Sequence, residues 1–269
     1  MNFKVAGGSV IGARHLSKGK NNQDSFHIQK NNDTIVAVVT DGCGSSKNSE
    51  VGAKIGAQNT VKIINSYLKQ YVENRSAWKQ DGAVWENINY DIVKNISNSV
   101  NQIKGGHVDV LMDYFLFTII GFIITDDLTY IFNIGDGAWI ENGNINKIGP
   151  FPGNAPPFIG YACLKNNFLF KESLSSYNTD FNVKIFNTEN IESLLIGSDG
   201  ILDFIDAEKK EVPGTKRAIG NISQFWQKKE YFEDEFAISE KLNKINCINS
   251  KNSGLLQDDT TLIVARREE

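Results

Sequence analysis

Cysteine, histidine and proline are scarce in this chain, and each shortage excludes something. The three cysteines among 269 residues, Cys43, Cys163 and Cys247, lie far apart and form no CxxC pair. A disulfide framework and a zinc knuckle are thereby excluded. The three histidines, His15, His27 and His107, are equally scattered, so a structural zinc site lacks its usual ligands. Five prolines and 23 glycines exclude collagen-like and proline-rich spacer character. Positive charge is short as well. Lys and Arg number 28 against 32 Asp and Glu, a formal net charge of −4, without the basic footprint of a non-specific nucleic-acid binder. The most apolar run, Phe115 to Ile124, is far short of the roughly 20 residues a membrane-spanning helix needs. The N-terminal MNFKVAGGSVIGARH carries no apolar signal-peptide core. The expectation is a cytoplasmic protein that engages neither nucleic acid nor membrane.

What is present is a run of patterned segments. Ser25 to Gln29 and Thr34 to Thr40 read as strands, with turn chemistry at Lys30-Asn31-Asn32-Asp33 between them, hence an antiparallel hairpin. From Ser49 to Val72 the period becomes helical: Ala57, Val61, Ile64, Leu68 and Tyr71 share one face. A second helix covers Ala83 to Ile103, with Val84, Ile88, Ile92, Ile96 and Val100 on its apolar face and Gly105-Gly106 at its end. Strands follow at Phe115 to Ile124 and Thr129 to Ile134, then a hairpin of Ala138 to Glu141 and Ile145 to Ile148. Residues 149–190 are irregular and rich in proline. Ser193 to Ile196 is again a strand, Ile222 to Ile245 one or two amphipathic helices, and Leu262 to Ala265 a closing strand. Clustered strands joined by short turns imply an α+β fold with mostly antiparallel sheet. No internal repeat and no clear linker divides residues 1–269, so a single domain is expected.

The aspartates carry the chemistry. Asp41, Asp136 and Asp199 each leave an apolar strand, and Asp24 and Asp258 each enter one. In an antiparallel sheet the entrance of one strand lies beside the exit of its neighbour, so all five can gather at one edge. If the first hairpin turns between Asn32 and Asp33, positions summing to 65 face each other, which sets Asp24 opposite Asp41. Like charges directly opposite repel unless a cation neutralises them. Carboxylates without His or Cys are hard oxygen ligands that favour Mg²⁺ or Mn²⁺ over Zn²⁺. Each Asp here also precedes glycine or opens a strand, and Asp-Gly makes turns in any hairpin-rich protein.

Five ordered segments resemble the metal-dependent protein phosphatases of type 2C, in their divergent bacterial branch. They are NNQDSF at 21–26, VVTDGCGSSKNSEVGA at 38–53, IGDG at 134–137, GSDGILD at 197–203 and QDDTTLIV at 257–264. The resemblance implies a four-layer α-β-β-α sandwich, two stacked antiparallel sheets flanked by helix pairs, with two Mn²⁺ or Mg²⁺ ions per chain in a cleft at one end. It implies hydrolysis of phosphoserine or phosphothreonine by a water activated at that two-metal centre. Asp41 matches the aspartate that bridges both metals and Gly42 the glycine whose carbonyl ligates one. Asp199 and Asp258 match the carboxylates of the other; these three aspartates would act through the activated water. Asp24 matches an outer acidic residue and Asp136 the aspartate of an accessory third metal.

The chain also departs from that pattern. Gln23-Asp24 stands where the family usually has Glu-Asp, which removes a negative charge from one metal site. The arginine that clamps the substrate phosphate is replaced by Gly19, and Arg14, His15, Lys18 and Lys20 are the nearby cations that could substitute. Cys43 occupies the place of a proposed general-acid histidine; a small packing role is the expectation. Thr118 matches a position near the metal cleft and is expected to be an ordinary strand residue. Residues 149–180 fall where the family places a variable flap. The resemblance further implies a phosphoprotein substrate, a partner protein kinase and a von Willebrand factor A-like protein. A rival reading is a weakly active or inactive phosphatase-like module that regulates or binds phosphoproteins. Another is a phosphohydrolase of small molecules, for which no P-loop or Rossmann fingerprint speaks.

Overall fold

The computed structural model describes residues 2–70, 78, 82–165, 169–170, 172–247 and 254–268. The expected end of the first long helix, Tyr71 and Val72, lies outside these, as do 166–168 and 171 of the flap segment.

Among the described residues, ten strands form two five-stranded sheets, and every pairing within them is antiparallel. One sheet runs β1 (Phe3–Val10), β10 (Thr260–Arg267), β9 (Ser193–Gly197), β6 (Gly137–Glu141), β7 (Asn144–Ile148). The other runs β2 (Asp24–Lys30), β3 (Thr34–Asp41), β4 (Ile119–Thr125), β5 (Leu128–Ile134), β8 (Asn182–Asn187). Eight helices are described: α1 (Ala13–Ser17), α2 (Ser49–Gln70), α3 (Gly82–Gln102), α4 (His107–Tyr114), α5 (Ile201–Ala207), α6 (Gln224–Gln227), α7 (Glu230–Glu233) and α8 (Ala237–Ile245).

The unbroken apolar run of β3 has a simple cause: both of its faces are buried. Ile35, Ala37 and Val39 point between the sheets, where they meet Ile120, Phe122, Ile196 and Ile263. Val36 and Val38 point the other way, onto Ala53, Ala57 and Val61 of α2. Helix α3 buries the five residues its period picked out, Val84, Ile88, Ile92, Ile96 and Val100. On the far side, Leu195, Leu262 and Val264 of the first sheet pack under Phe204, Phe225 and Leu242 of α5, α6 and α8. The layers are therefore helix, sheet, sheet, helix, the α+β sandwich expected.

Four local expectations need correction. Phe115 to Thr118 do not join β4; the apolar run reports burial there, while the chain follows the Asp41–Cys43 segment through single hydrogen bonds. His107–Tyr114 is a helix, hidden behind the glycine pair that ends α3. β1 and β8 were not foreseen. Two glycines weaken the strand signal of β1, and β8 is an edge strand with a largely polar, exposed sequence. The stretch from Ile222 to Ile245 is broken into three short helices.

Candidate active site

The first hairpin has the register the arithmetic required: Asp24 faces Asp41. From there the chain exit is pinned on both sides. The Thr118 amide donates to the Asp41 carbonyl at 2.8 Å and the Cys43 amide to Leu116 at 2.9 Å. The Gly42 amide donates to the Gln23 carbonyl at 3.1 Å. Asp199 leaves β9 just before α5, and Asp258 stands before β10, the partner of β9. The amides of Gln257 and Asp258 both donate to Asp203 Oδ2, at 2.6 and 3.1 Å, so α5 holds the approach to Asp258. A side chain on Gly200 would collide with the Asp259 carbonyl, so only glycine lets these two strand ends come so close. Asp136 sits in the β5–β6 turn between Gly135 (φ +88°) and Gly137 (φ +137°), backbone that L side chains rarely adopt.

Asp41, Asp136, Asp199 and Asp258 thus line one cleft of about 530 Å³, together with Gly42 and Cys43. Arg14, His15 and Lys18 of the α1 region form another part of its lining. Asn154, Ala155, Pro156, Phe158 and Tyr161 supply a wall from the flap segment. Asp24 is not part of the lining. It is buried, accepts a 2.6 Å hydrogen bond from Ser198 Oγ on Oδ2, and leaves Oδ1 without a partner.

The electrostatics are those of crowded carboxylates. Burial pushes Asp41 well above the usual range, and Asp24, Asp199, Asp136 and Asp258 push it further. Asp24 is also raised well above its ordinary value, by burial first and then by Asp259. Asp199 rises to about 7, by burial and then by Asp258, Asp136 and Asp203; a hydrogen bond with Asp41 acts the other way. Burial raises Asp136 too. Such a set holds protons or cations.

The donor set fits hard divalent ions, since it is all oxygen. The raised pKa values of the cleft carboxylates Asp41, Asp136 and Asp199 point the same way. Among the described residues no three Asp, Glu, His or Cys side chains surround a single point. That arrangement still suits Mg²⁺, which keeps several waters and takes only one or two carboxylates.

The structure separates the candidate cations. Lys20 does not line the cleft; its ammonium donates to the Gly44 carbonyl. His15 Nδ1 lies 2.9 Å from Asp259 Oδ2, although not in line for a directed hydrogen bond. The Asp259 contact raises the His15 pKa against the effect of partial burial. Arg14 is exposed on the cleft, and its guanidinium has no carboxylate partner among the described residues. Thr118 is buried and packs against the Gly135 turn.

Sequence reasoning missed Asp259. It is buried, and its two oxygens accept the Gly12 and Gln23 amides, each at 2.6 Å. One side chain thereby ties β10 to the loops before α1 and β2. The only signal was the Asp258-Asp259 pair itself.

The family model described as Protein phosphatase 2C matches residues 11–244. A sequence search of curated proteins returns no significant match. Among solved structures, the serine/threonine phosphatase Stp1 from Staphylococcus aureus is similar at 18% identity, with 100% of this chain and 96% of that chain covered and a TM-score of 0.54. A bacterial serine phosphatase is similar at 18% identity over 98% of this chain and 97% of that one, with a TM-score of 0.53. The catalytic domain of the serine threonine protein phosphatase PstP, in complex with 2 manganese ions, is similar at 14% identity over 100% and 99%, with a TM-score of 0.50. At these identities the structures speak for the fold.

Proposed function

Since the chain belongs to the protein phosphatase 2C family, we propose that it hydrolyses phosphoserine and phosphothreonine in proteins with the aid of Mn²⁺ or Mg²⁺. The observation that carries this reading is the convergence of Asp41, Asp136, Asp199 and Asp258 on one cleft, all from strand ends. Asp41, the Gly42 carbonyl, Asp199 and Asp258 would hold two ions, and Asp136 an accessory third. When bound, such ions supply Lewis acidity, lowering the pKa of water and screening the phosphoryl oxygens.

The chain's own groups supply the rest. Arg14 is the best placed substitute for the family's clamping arginine, since it is on the cleft and uncommitted, and guanidinium meets two phosphate oxygens at once. Lys18 lines the same cleft as a second, point-like charge. Asp259 sets the loops that carry Arg14 and Gln23 through its two amide contacts. Phe158, Tyr161 and Pro156 offer an apolar wall to the residues beside the phosphorylated side chain. Among the described residues, no helix is long and apolar enough to cross a membrane. Cytoplasmic residence, a partner protein kinase and a von Willebrand factor A-like partner belong to the proposal on the family resemblance alone.

Retention of the three carboxylates Asp41, Asp199 and Asp258 favours turnover over the rival of an inactive phosphoprotein-binding module. The test is phosphate release from phosphoserine and phosphothreonine peptides in Mn²⁺ by the parent protein and by Asp41→Asn. Release by the parent and its loss in the folded variant is the expected result. Equal rates in both would remove Asp41 from the chemistry.

A further inference from the structure

Among the described residues, a second cavity, of about 710 Å³, shares no lining residue with the carboxylate cleft. It opens between the loop that follows α5 and the helices α6 and α8, and Val212, Pro213 and Ile219 give it apolar walls. Among the described residues, four cations line it, Arg217, Lys228, Lys241 and Lys244, and no carboxylate does. In a chain of net charge −4 this is a local reversal of sign.

Two of the four cations are compensated from outside the lining. Lys228 Nζ lies 3.7 Å from Glu230 and Lys244 Nζ 3.2 Å from Glu240. The other two are not. Lys241 is half-buried and gives one N–H to the Ile219 carbonyl at 2.9 Å, and among the described residues it has no carboxylate at ion-pair distance. Its pKa is lowered, by burial first and then by Lys228 and Lys244, with the Glu230 carboxylate acting the other way. Arg217 has no carboxylate partner among the described residues.

The walls are held by the chain's own hydrogen bonds. The Val212 amide donates to the Arg217 carbonyl at 2.8 Å and the Ile219 amide to Lys210 at 2.9 Å, which closes the loop on itself. The Glu208 carboxylate accepts the Ile222 amide and the Asn221 side-chain amide at 2.7 and 3.0 Å. The buried Gln224 donates to the Ile219 and Asn221 carbonyls and accepts from the Tyr231 hydroxyl. A preformed, largely apolar hollow with a few convergent polar groups is the usual character of a small-molecule site, and its volume falls within the roughly 300–1,000 Å³ such sites occupy.

We propose that this cavity binds a small organic anion, with an apolar body against Val212, Pro213 and Ile219 and an anionic head between Arg217 and Lys241. The occupant is a small molecule because the hollow matches one in size and because Arg217 and Lys241, both in its lining, have no carboxylate at ion-pair distance among the described residues.

The test is a calorimetric titration of the full-length protein with naphthalene-1-sulfonate, which has the apolar body and a head that no phosphatase can remove. Inorganic sulfate and 1-naphthol serve as the head alone and the body alone. Saturable one-site binding of the sulfonate, stronger than either fragment, is expected. Arg217→Ala and Lys241→Met should each weaken it about tenfold or more, the loss of one charged contact. Arg217→Lys should recover part of the loss, and Arg14→Ala, in the other cleft, should change nothing. Arg217 is exposed, so its replacement leaves the fold intact. The proposal is overturned if the sulfonate does not bind, if binding survives both substitutions, or if Arg14→Ala abolishes it. It is equally overturned if an acidic peptide occupies the cavity while the sulfonate does not.

Discussion

Without divalent ions, this protein should lose stability as the pH rises through neutrality, and Asp199 gives the scale. Its pKa in the fold is about 7 against an ordinary 3.8. At about 1.4 kcal/mol per pH unit, the ionised form is disfavoured in the fold by about 4 kcal/mol. Below pH 4 the group is neutral in folded and unfolded chains alike, and its environment is harmless. Between about pH 4 and 7 the unfolded chain releases the proton while the folded one keeps it, so stability falls with pH. Above about pH 8 the whole of that loss is present. For a chain of this size about 4 kcal/mol corresponds to a melting temperature lowered by roughly 8–16 °C. Asp24, Asp41 and Asp136 are shifted in the same direction and deepen the fall. The assay is thermal unfolding in chelator at pH 5 and pH 8, for the parent and for Asp199→Asn. The parent should melt lower at pH 8, the variant should show a smaller difference, and Mn²⁺ at pH 8 should restore the parent by mass action. A parent protein in chelator that melts at the same or a higher temperature at pH 8 would refute the reasoning.

Other substitutions separate the remaining roles. Arg14→Ala should lower kcat/KM about 10- to 150-fold, mainly through KM, as expected for one charge-assisted contact. Lys20→Ala should do much less, since that ammonium serves the Gly44 carbonyl; equal steady-state losses for the two would place the clamp elsewhere. Asp259→Ala strands the buried Gly12 and Gln23 amides, at about 1–3 kcal/mol each; an unchanged denaturant midpoint would show that these contacts are dispensable. Ile88→Ala opens a hole under α3, where Ile88 is fully buried, and should cost about 2–5 kcal/mol by the same measurement.

Much of the site's plan was legible because strand ends carry it. The hairpin arithmetic that faced Asp24 with Asp41 needed only the turn position, and the register followed. The five buried positions of α3 were legible because a period of four on one face has few other meanings. β1 and β8 were illegible for opposite reasons: one is interrupted by Gly7-Gly8, the other is polar because it runs along an exposed edge. Asp259 could not be told from Asp258 by residue type, since one lines the cleft and the other, one position on, turns inward to two amides. Lys20 and Arg14 likewise look equivalent as charges in one loop. Only the packing shows that the first is committed to a carbonyl and the second is on the cleft.

The central claim is tested most directly by following phosphate release from a phosphothreonine peptide as chelator is added and then titrated out with Mn²⁺ or Mg²⁺. The account predicts that release stops in chelator and returns as the free cation rises. Release that continues undiminished in excess chelator would contradict it.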